Sequence, residues 1–179
     1  IAAAAYGPNA FDISNAAEDL VQNWEVSERV DEGYLRFDFG NGSALTGNIG
    51  LRLVDVTTTS EGFRQDTGAS ALAPVSVEHD YSEVLPSASL KYSLSDTSLV
   101  RFGLGRVIAG PPLDELRASR TLTNFLPFTG SAGNPDLEPF KANQYDATYE
   151  WYFRPEALVG VAAFYKDVKS YIGWTQQPE

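Results

Sequence analysis

The chain has 179 residues (19.5 kDa), no cysteine, a formal net charge of -11 and a pI near 4.5. That length supports one domain with a sizeable core. The absence of Cys excludes a disulfide framework or thiolate metal site, and the acidity argues against a nucleic-acid binder, which needs clustered Lys and Arg. No run of 18 apolar residues is present, which excludes a transmembrane helix. A mean hydropathy of -0.22 leaves membrane strands open, because only every second residue of a ~10-residue barrel strand must be apolar. The opening Ile1-Ala-Ala-Ala-Ala5 has neither Met nor a basic n-region, so the chain reads as a mature product or an excised piece.

Residues 1–27 read as irregular, with a short helix predicted over Asn15–Asn23 behind a Ser14 or Asn15 cap. Alternation begins at Gly33: Leu35, Phe37 and Phe39 share one face, and Arg36 and Asp38 the other. Asn41-Gly42 signals a hairpin turn, and this outweighs the glycosylation sequon that Asn41-Gly42-Ser43 also spells. The return strand runs from Leu45 to Leu53, with Leu45, Ile49, Leu51 and Leu53 opposite Asn48 and Arg52. Residues 57–74, rich in Thr, Ser, Gly and Ala, are expected to be a loop. A long strand is expected from Val75 to Tyr92, interrupted at Pro86, and Leu90, Tyr92 and Leu94 alternate with Ser89, Lys91 and Ser93.

Ser95-Asp96-Thr97-Ser98 then turns the chain into Val100, Phe102 and Leu104, which alternate with Arg101, Gly103 and Gly105. Residues 108–142 form a second long loop, with a helical turn predicted at Leu113–Ala118. In the next strand Tyr145, Ala147, Tyr149, Trp151 and Phe153 oppose Asp146, Thr148 and Glu150. After Arg154-Pro155-Glu156-Ala157 the last strand, Leu158–Asp167, is apolar or small on both faces. Val159, Val161, Ala163 and Tyr165 are taken as its outer set.

Six antiparallel strands result, with short turns at one end (40–44, 95–98, 154–157) and long loops at the other (57–74, 108–142). That asymmetry is the layout of an outer-membrane β-barrel with short periplasmic turns and long extracellular loops. The alternative is a soluble β-sandwich, a binding or structural module whose apolar faces would be buried against each other. Six strands make an arc, since closed single-chain barrels start at 8. The chain is therefore expected to be part of a longer protein.

The motifs of the second half resemble those of TonB-dependent outer-membrane receptors. Glu83-Val-Leu-Pro-Ser-Ala-Ser-Leu-Lys-Tyr-Ser-Leu-Ser-Asp96 is similar to the family's LPSxxLxYxLTD strand and turn. Val100–Leu116 is similar to the following strand and its RPxxxDL end, with Gly110 where the family has Arg. Gly133–Asp146 resembles GNPxLKPExAxNYD, with Glu138 for Lys and Phe140 for Glu. Ala163-Phe-Tyr-Lys-Asp-Val-Lys-Ser-Tyr-Ile172 resembles FYKDIxxxI, and Trp24–Glu28 and Leu45–Leu53 fit the preceding strands. The motifs follow the family's order from about Trp24 to Ile172. The variants are nearest a proteobacterial subgroup often linked to carbohydrate uptake.

The resemblance implies a segment of a 22-stranded barrel whose lumen holds a plug domain, absent from residues 1–179. It also implies a bacterial outer-membrane location, outer-membrane lipid around the wall and a small-molecule nutrient as cargo. Contact with the TonB complex would be indirect, through the plug. No cofactor and no enzymatic step are implied.

On this reading Phe37, Phe39, Leu51, Tyr92, Phe102, Tyr149, Trp151 and Phe153 are lipid-facing candidates. Arg36, Asp38, Arg52, Lys91, Arg101, Asp146 and Glu150 are lumen-facing candidates, expected to pair with one another or with the plug. Phe125, Phe128 and Phe140 are substrate-contact candidates in the long loop. Pinning of that loop to its neighbours is the stronger expectation for them. His79, the single His, stands beside Asp80 and near Glu78 and Glu83, too few ligands for a metal site. The carboxylate neighbours Asp114/Glu115 and Asp136/Glu138 are not held across a pocket as glycoside hydrolysis requires. Gly103-Leu-Gly105 lacks the third Gly and the helix of a dinucleotide fingerprint.

Overall fold

The computed structural model describes residues 20, 22–40, 42, 44–64, 72–125 and 128–173, excluding the side chains of 121–125, 128 and 129. Eight strands follow in order: β1 (Glu25–Phe39), β2 (Leu45–Arg64), β3 (Ala73–Ser95), β4 (Ser98–Ala109), β5 (Arg120–Phe125), β6 (Phe128–Ala132), β7 (Phe140–Arg154) and β8 (Ala157–Val168). They form one sheet in the order β6-β5-β2-β3-β4-β7-β8, with β1 also paired to β2. Six long strands match the predicted six, and β5 and β6 are a short hairpin within what was expected to be loop. The sandwich alternative does not hold among the described residues, because every strand belongs to that single sheet.

The predicted boundaries need correction. β1 starts at Glu25, eight residues before Gly33. β2 continues to Arg64 and β3 opens at Ala73, through most of the expected 57–74 loop. Thr57-Thr-Thr-Ser60 suggested a loop by polarity, yet Thr is a strand former because its branched side chain fits a pleated surface. Residues 65–71, Asn41 and Ser43 lie outside the described residues. Of the predicted N-terminal helix, Leu20 and Gln22 are helical, and Asn23 donates its N–H to the Leu20 carbonyl at 3.1 Å. The rest of that helix lies outside the description.

Tight turns close the hairpins. Asp96-Thr97 and Pro155-Glu156 are two-residue turns. At the first hairpin, Gly40 and Gly42 take φ of 86° and 75°. Gly40 also has the Leu45 carbonyl lying where a β-carbon would be, so both its φ and its surroundings require glycine.

The chain divides into two compact units. One comprises Ile1–Arg29, Thr57–His79 and Pro112–Leu137; the other Val30–Val56, Asp80–Pro111 and Glu138–Glu179. In the first, β5 pairs with β6 antiparallel and touches β2 in parallel at Arg64↔Arg120. The segment before β5 is a turn, not a helix, held by Glu115 N–H to the Pro112 carbonyl and Leu116 N–H to the Leu113 carbonyl. Leu116 is fully buried there, and Ser60 Oγ accepts the Ala118 N–H at 2.8 Å.

In the second unit, β4 and β7 pair without interruption from Ser98↔Trp151 to Ala109↔Phe140. The β3–β4 ladder runs only from Ser95↔Ser98 to Ser87↔Gly105. It stops where Pro86 has no N–H to offer. Side chains bridge the strands beyond that point: Ile108 and Tyr81 pack against the buried cluster of Val54, Val56 and Leu85. Burial of Val54, Val56 and Leu85 contributes roughly 1.5–3 kcal/mol for each side chain.

Candidate functional site

Register fixes which side chains share a face in the second unit, since directly opposed residues project to the same side of a sheet. One face is built of rows. Ser98, Trp151 and Val159 form the first; Tyr92, Val100, Tyr149 and Val161 the second. Leu90, Phe102, Ala147 and Ala163 follow, then Ala88, Leu104, Tyr145 and Tyr165. The next row, Arg106, Asn143 and Asp167, is polar, with Arg106 Nε donating to Asn143 Oδ1 at 3.2 Å.

The apolar rows are open: Phe102, Leu104, Tyr149 and Trp151 are 40–50% exposed and Val161 and Tyr165 64%. Aromatic pairs stand at both borders. Tyr145 and Tyr165 stack at 6.1 Å beside the polar row, and Trp151 and Phe153 lie 5.5 Å apart beside the Pro155-Glu156 turn. On β1, Phe37 and Phe39 stack at 6.4 Å, and Phe39 covers the bare backbone of Gly47. Val159, Val161, Ala163 and Tyr165 share their face with Tyr145, Tyr149 and Trp151.

The opposite face gathers Lys91, Arg101 and Thr148 in one row and Ser89, Gly103 and Asp146 in the next. Arg101 Nε donates to Glu150 Oε1 at 2.8 Å, and the other Glu150 oxygen accepts the Tyr152 hydroxyl at 2.8 Å. Arg36 is bound to Asp38, two residues along the same strand, and Arg52 to Glu32 across the β1–β2 pair. A groove near the tight turns is lined by Asp38, Thr46, Asn48, Ser89, Lys91 and Arg101. Tyr152 and Glu32 were missed by sequence reasoning, since a tyrosine in a Trp-Tyr-Phe run reads as part of the apolar band.

Past the polar row, Lys141 Nζ meets Glu83 at 2.5 Å and Glu138 at 3.1 Å. Hydrogen bonding to Glu83 first, then to Glu138, holds the Lys141 ammonium above its usual pKa. Glu138 stands where the family pattern has Lys, and here it supplies half of this clamp. Lys169 is raised in the same way by Asp167 at 2.5 Å. Phe140 opens β7 half-buried, edge-on to Tyr171 at 6.2 Å. Phe125 and Phe128 face each other in the β5–β6 register, and their side chains lie outside the described residues. His79 Nδ1 lies 3.8 Å from Asp136. Among the described residues no group of three or more His, Asp or Glu could hold a metal ion.

The first unit carries a cleft of about 480 Å³ that the sequence did not announce. Trp24 and Glu25 at the start of β1, Glu61, Gly62 and Phe63 near the end of β2, and Pro74, Val75 and Ser76 at the start of β3 line it. The available signal was an aromatic next to or near a glutamate at two strand ends.

Comparison with known proteins places this arrangement. No curated protein matches the chain significantly. Among solved structures, the ferric-catecholate import receptor Fiu of E. coli K12, in its closed form, superposes with a TM-score of 0.53 at 17% identity. The match covers 80% of this chain and 22% of that one, so the chain spans about a fifth of the receptor's length. At that identity the likeness is one of fold. The family model for the TonB-dependent receptor-like β-barrel matches residues 3–179, and the chain belongs to that family.

Proposed function

We propose that this chain is a stretch of wall in a TonB-dependent importer of the bacterial outer membrane. The observation that carries the reading is the ordered apolar face, bounded on one side by Arg106, Asn143 and Asp167 and on the other by tight turns. From Tyr145 to Phe153 the strand advances about 27 Å at ~3.4 Å per residue. At a strand tilt of ~40° this gives a band roughly 20 Å high, close to the ~25 Å apolar band of such barrels. Aromatic pairs at both borders suit the two interfaces, where amphipathic rings are favoured.

On this reading Phe37, Phe39, Leu51, Tyr92, Phe102, Tyr149, Trp151 and Phe153 meet lipid. Arg36, Asp38, Arg52, Lys91, Arg101, Asp146 and Glu150 line the lumen, where they pair with one another and with the plug. The wall does no covalent chemistry. Cargo is held by outer loops and lumen, and the TonB complex opens a path by acting on the plug. The family's carbohydrate-linked motif variants support an oligosaccharide as cargo; the import of ferric catecholate by Fiu supports an iron chelate. Phe125, Phe128 and Phe140 are proposed cargo contacts in the long excursion.

The test is the membrane fraction and intact mass of the natural protein. An outer-membrane protein several times larger than 19.5 kDa is expected. A soluble natural product of about this size would sink the reading.

A further inference from the structure

Below Pro86, β3 and β4 lie side by side, and Ser87 faces the same way as Gly105. β3 keeps that facing above Pro86. Ser87 Oγ lies 2.8 Å from where a β-carbon of Gly50 would be, and Ser82 Oγ donates to Asp55 Oδ1 at 3.4 Å; both contacts fit one β2–β3 register. Glu83 and Leu85 therefore project with Ser87, to the lumen side. β4 and β7 also pair without a slip up to Ala109↔Phe140, so Ile108 and Lys141 project with Leu104 and Tyr145, to the lipid side. Yet Ile108 packs against the cluster that holds Leu85, and Lys141 Nζ meets Glu83. A lipid-side residue of one strand pair touches a lumen-side residue of its neighbour only where the two have left a common surface. The end of β4–β7 has passed inside β3 and lies across its lumen face.

We infer that this end, Arg106–Pro111 with Glu138–Lys141, is a flap that narrows the lumen when Lys141 is latched to Glu83 and widens it when the latch opens. This rests on the importer reading and adds a regulation to it. The flap is stiff within itself. Beyond the β4–β7 ladder, the Lys169 N–H donates to the Lys141 carbonyl at 2.7 Å. Ser170 Oγ accepts the Lys141 N–H at 2.9 Å and donates to the Pro139 carbonyl at 2.8 Å. Its hold on β3 is of another kind: among the described residues no backbone pair joins β3 and β4 above Ser87↔Gly105. What remains is the Ile108 contact and one ammonium shared by Glu83 and Glu138. Ions that separate regain their hydration, so a pair of this kind opens at modest cost. Segments held by few apolar contacts are those that open locally. Segment 112–137 leaves from and returns to the flap, so its two attachment points move with it.

The test is the reach of a thiol reagent, 2-sulfonatoethyl methanethiosulfonate, beneath the flap. It uses the natural full-length receptor in nanodiscs, in a background free of other cysteines. Leu85→Cys puts a thiol in the cluster under Ile108, where the native side chain is buried. Lys141→Gln is expected to speed modification there about tenfold, as loss of a charged hydrogen bond would. Lys141→Arg keeps the charge and the donors and should hold the rate near that of the parent. Ser89→Cys, on the same face below Pro86, should react at one rate in all three backgrounds. Where Leu85→Cys fails to assemble, Tyr81→Cys against the same cluster gives the readout. The flap is overturned if the parent reacts as fast at position 85 as at 89. It is equally overturned if Lys141→Gln leaves position 85 unchanged or speeds both positions alike. A receptor recovered from the outer-membrane fraction that gives such a result retains the importer reading. A soluble natural protein loses both.

Discussion

Arg101, Glu150 and Tyr152 form a three-member chain in which one carboxylate satisfies a guanidinium and a phenol at once. Removing Arg101 leaves Glu150 with its tyrosine partner alone, and removing Glu150 leaves Arg101 directly opposite Lys91. Like charges opposed across a strand pair are unfavourable. Glu150→Gln is therefore expected to lower the thermal unfolding midpoint of the receptor more than Arg101→Gln does. Melting curves of the two variants and their double mutant would check this, and a double mutant that is simply additive would contradict it.

In the other unit, Leu116→Ala empties a fully buried site and should cost about 2–5 kcal/mol of local stability. The readout is faster proteolysis between residues 110 and 140, with the long strands uncut. Little of this was legible in the sequence. Leu116 belonged to a recognisable motif, but burial by residues distant in sequence cannot be read from spacing. Phe140 was legible as an aromatic and not as the partner of Tyr171.

Elements were legible where their two faces differ chemically. β4 and β7 alternate cleanly because one face is apolar and the other carries Arg101, Asp146 and Glu150. β8 is apolar or small on both faces, so alternation gave its facing no warrant, and only the register with β7 assigns a side. Ala162 and Ala163 make the assignment testable, since they are one residue type on adjacent, opposite-facing positions. Ala163→Arg, in the middle of the apolar rows, should cost roughly 2–4 kcal/mol. Ala162→Arg should cost little. Urea unfolding of the receptor in lipid vesicles distinguishes the two, and equal costs would refute the facing. The ends of β2 and the start of β3 were illegible for a different reason. Their Thr and Ser satisfy loop composition and strand geometry equally well.

At the scale of the molecule, motif order carried further than periodicity. Alternation alone suits a sandwich as well as a barrel wall. The four ordered motifs of the second half resemble those of a barrel family and so favoured the barrel, and the single open sheet agrees. Among the described residues the isolated chain presents an exposed apolar face and a β8 edge that no further strand covers. Such surfaces associate in water. The isolated chain is expected to scatter light as large aggregates in detergent-free buffer and to disperse in detergent. A monodisperse monomer without detergent, measured by light scattering, would contradict the lipid-facing assignment.

Pro86 acts on the sheet as the bottom stop acts on a zipper. Below it β3 and β4 are stitched residue by residue; above it β3 leans on β2 and β4 on β7, and Ile108 and the Lys141–Glu83 contact bridge the fork. A single imino acid thus sets where the wall begins to divide into two separately anchored lips. Those lips can move apart by breaking side-chain contacts alone, without tearing a backbone hydrogen bond between β3 and β4. Pro86→Ala should let the stitching advance, which hydrogen exchange would register as slower exchange at residues just above the fork.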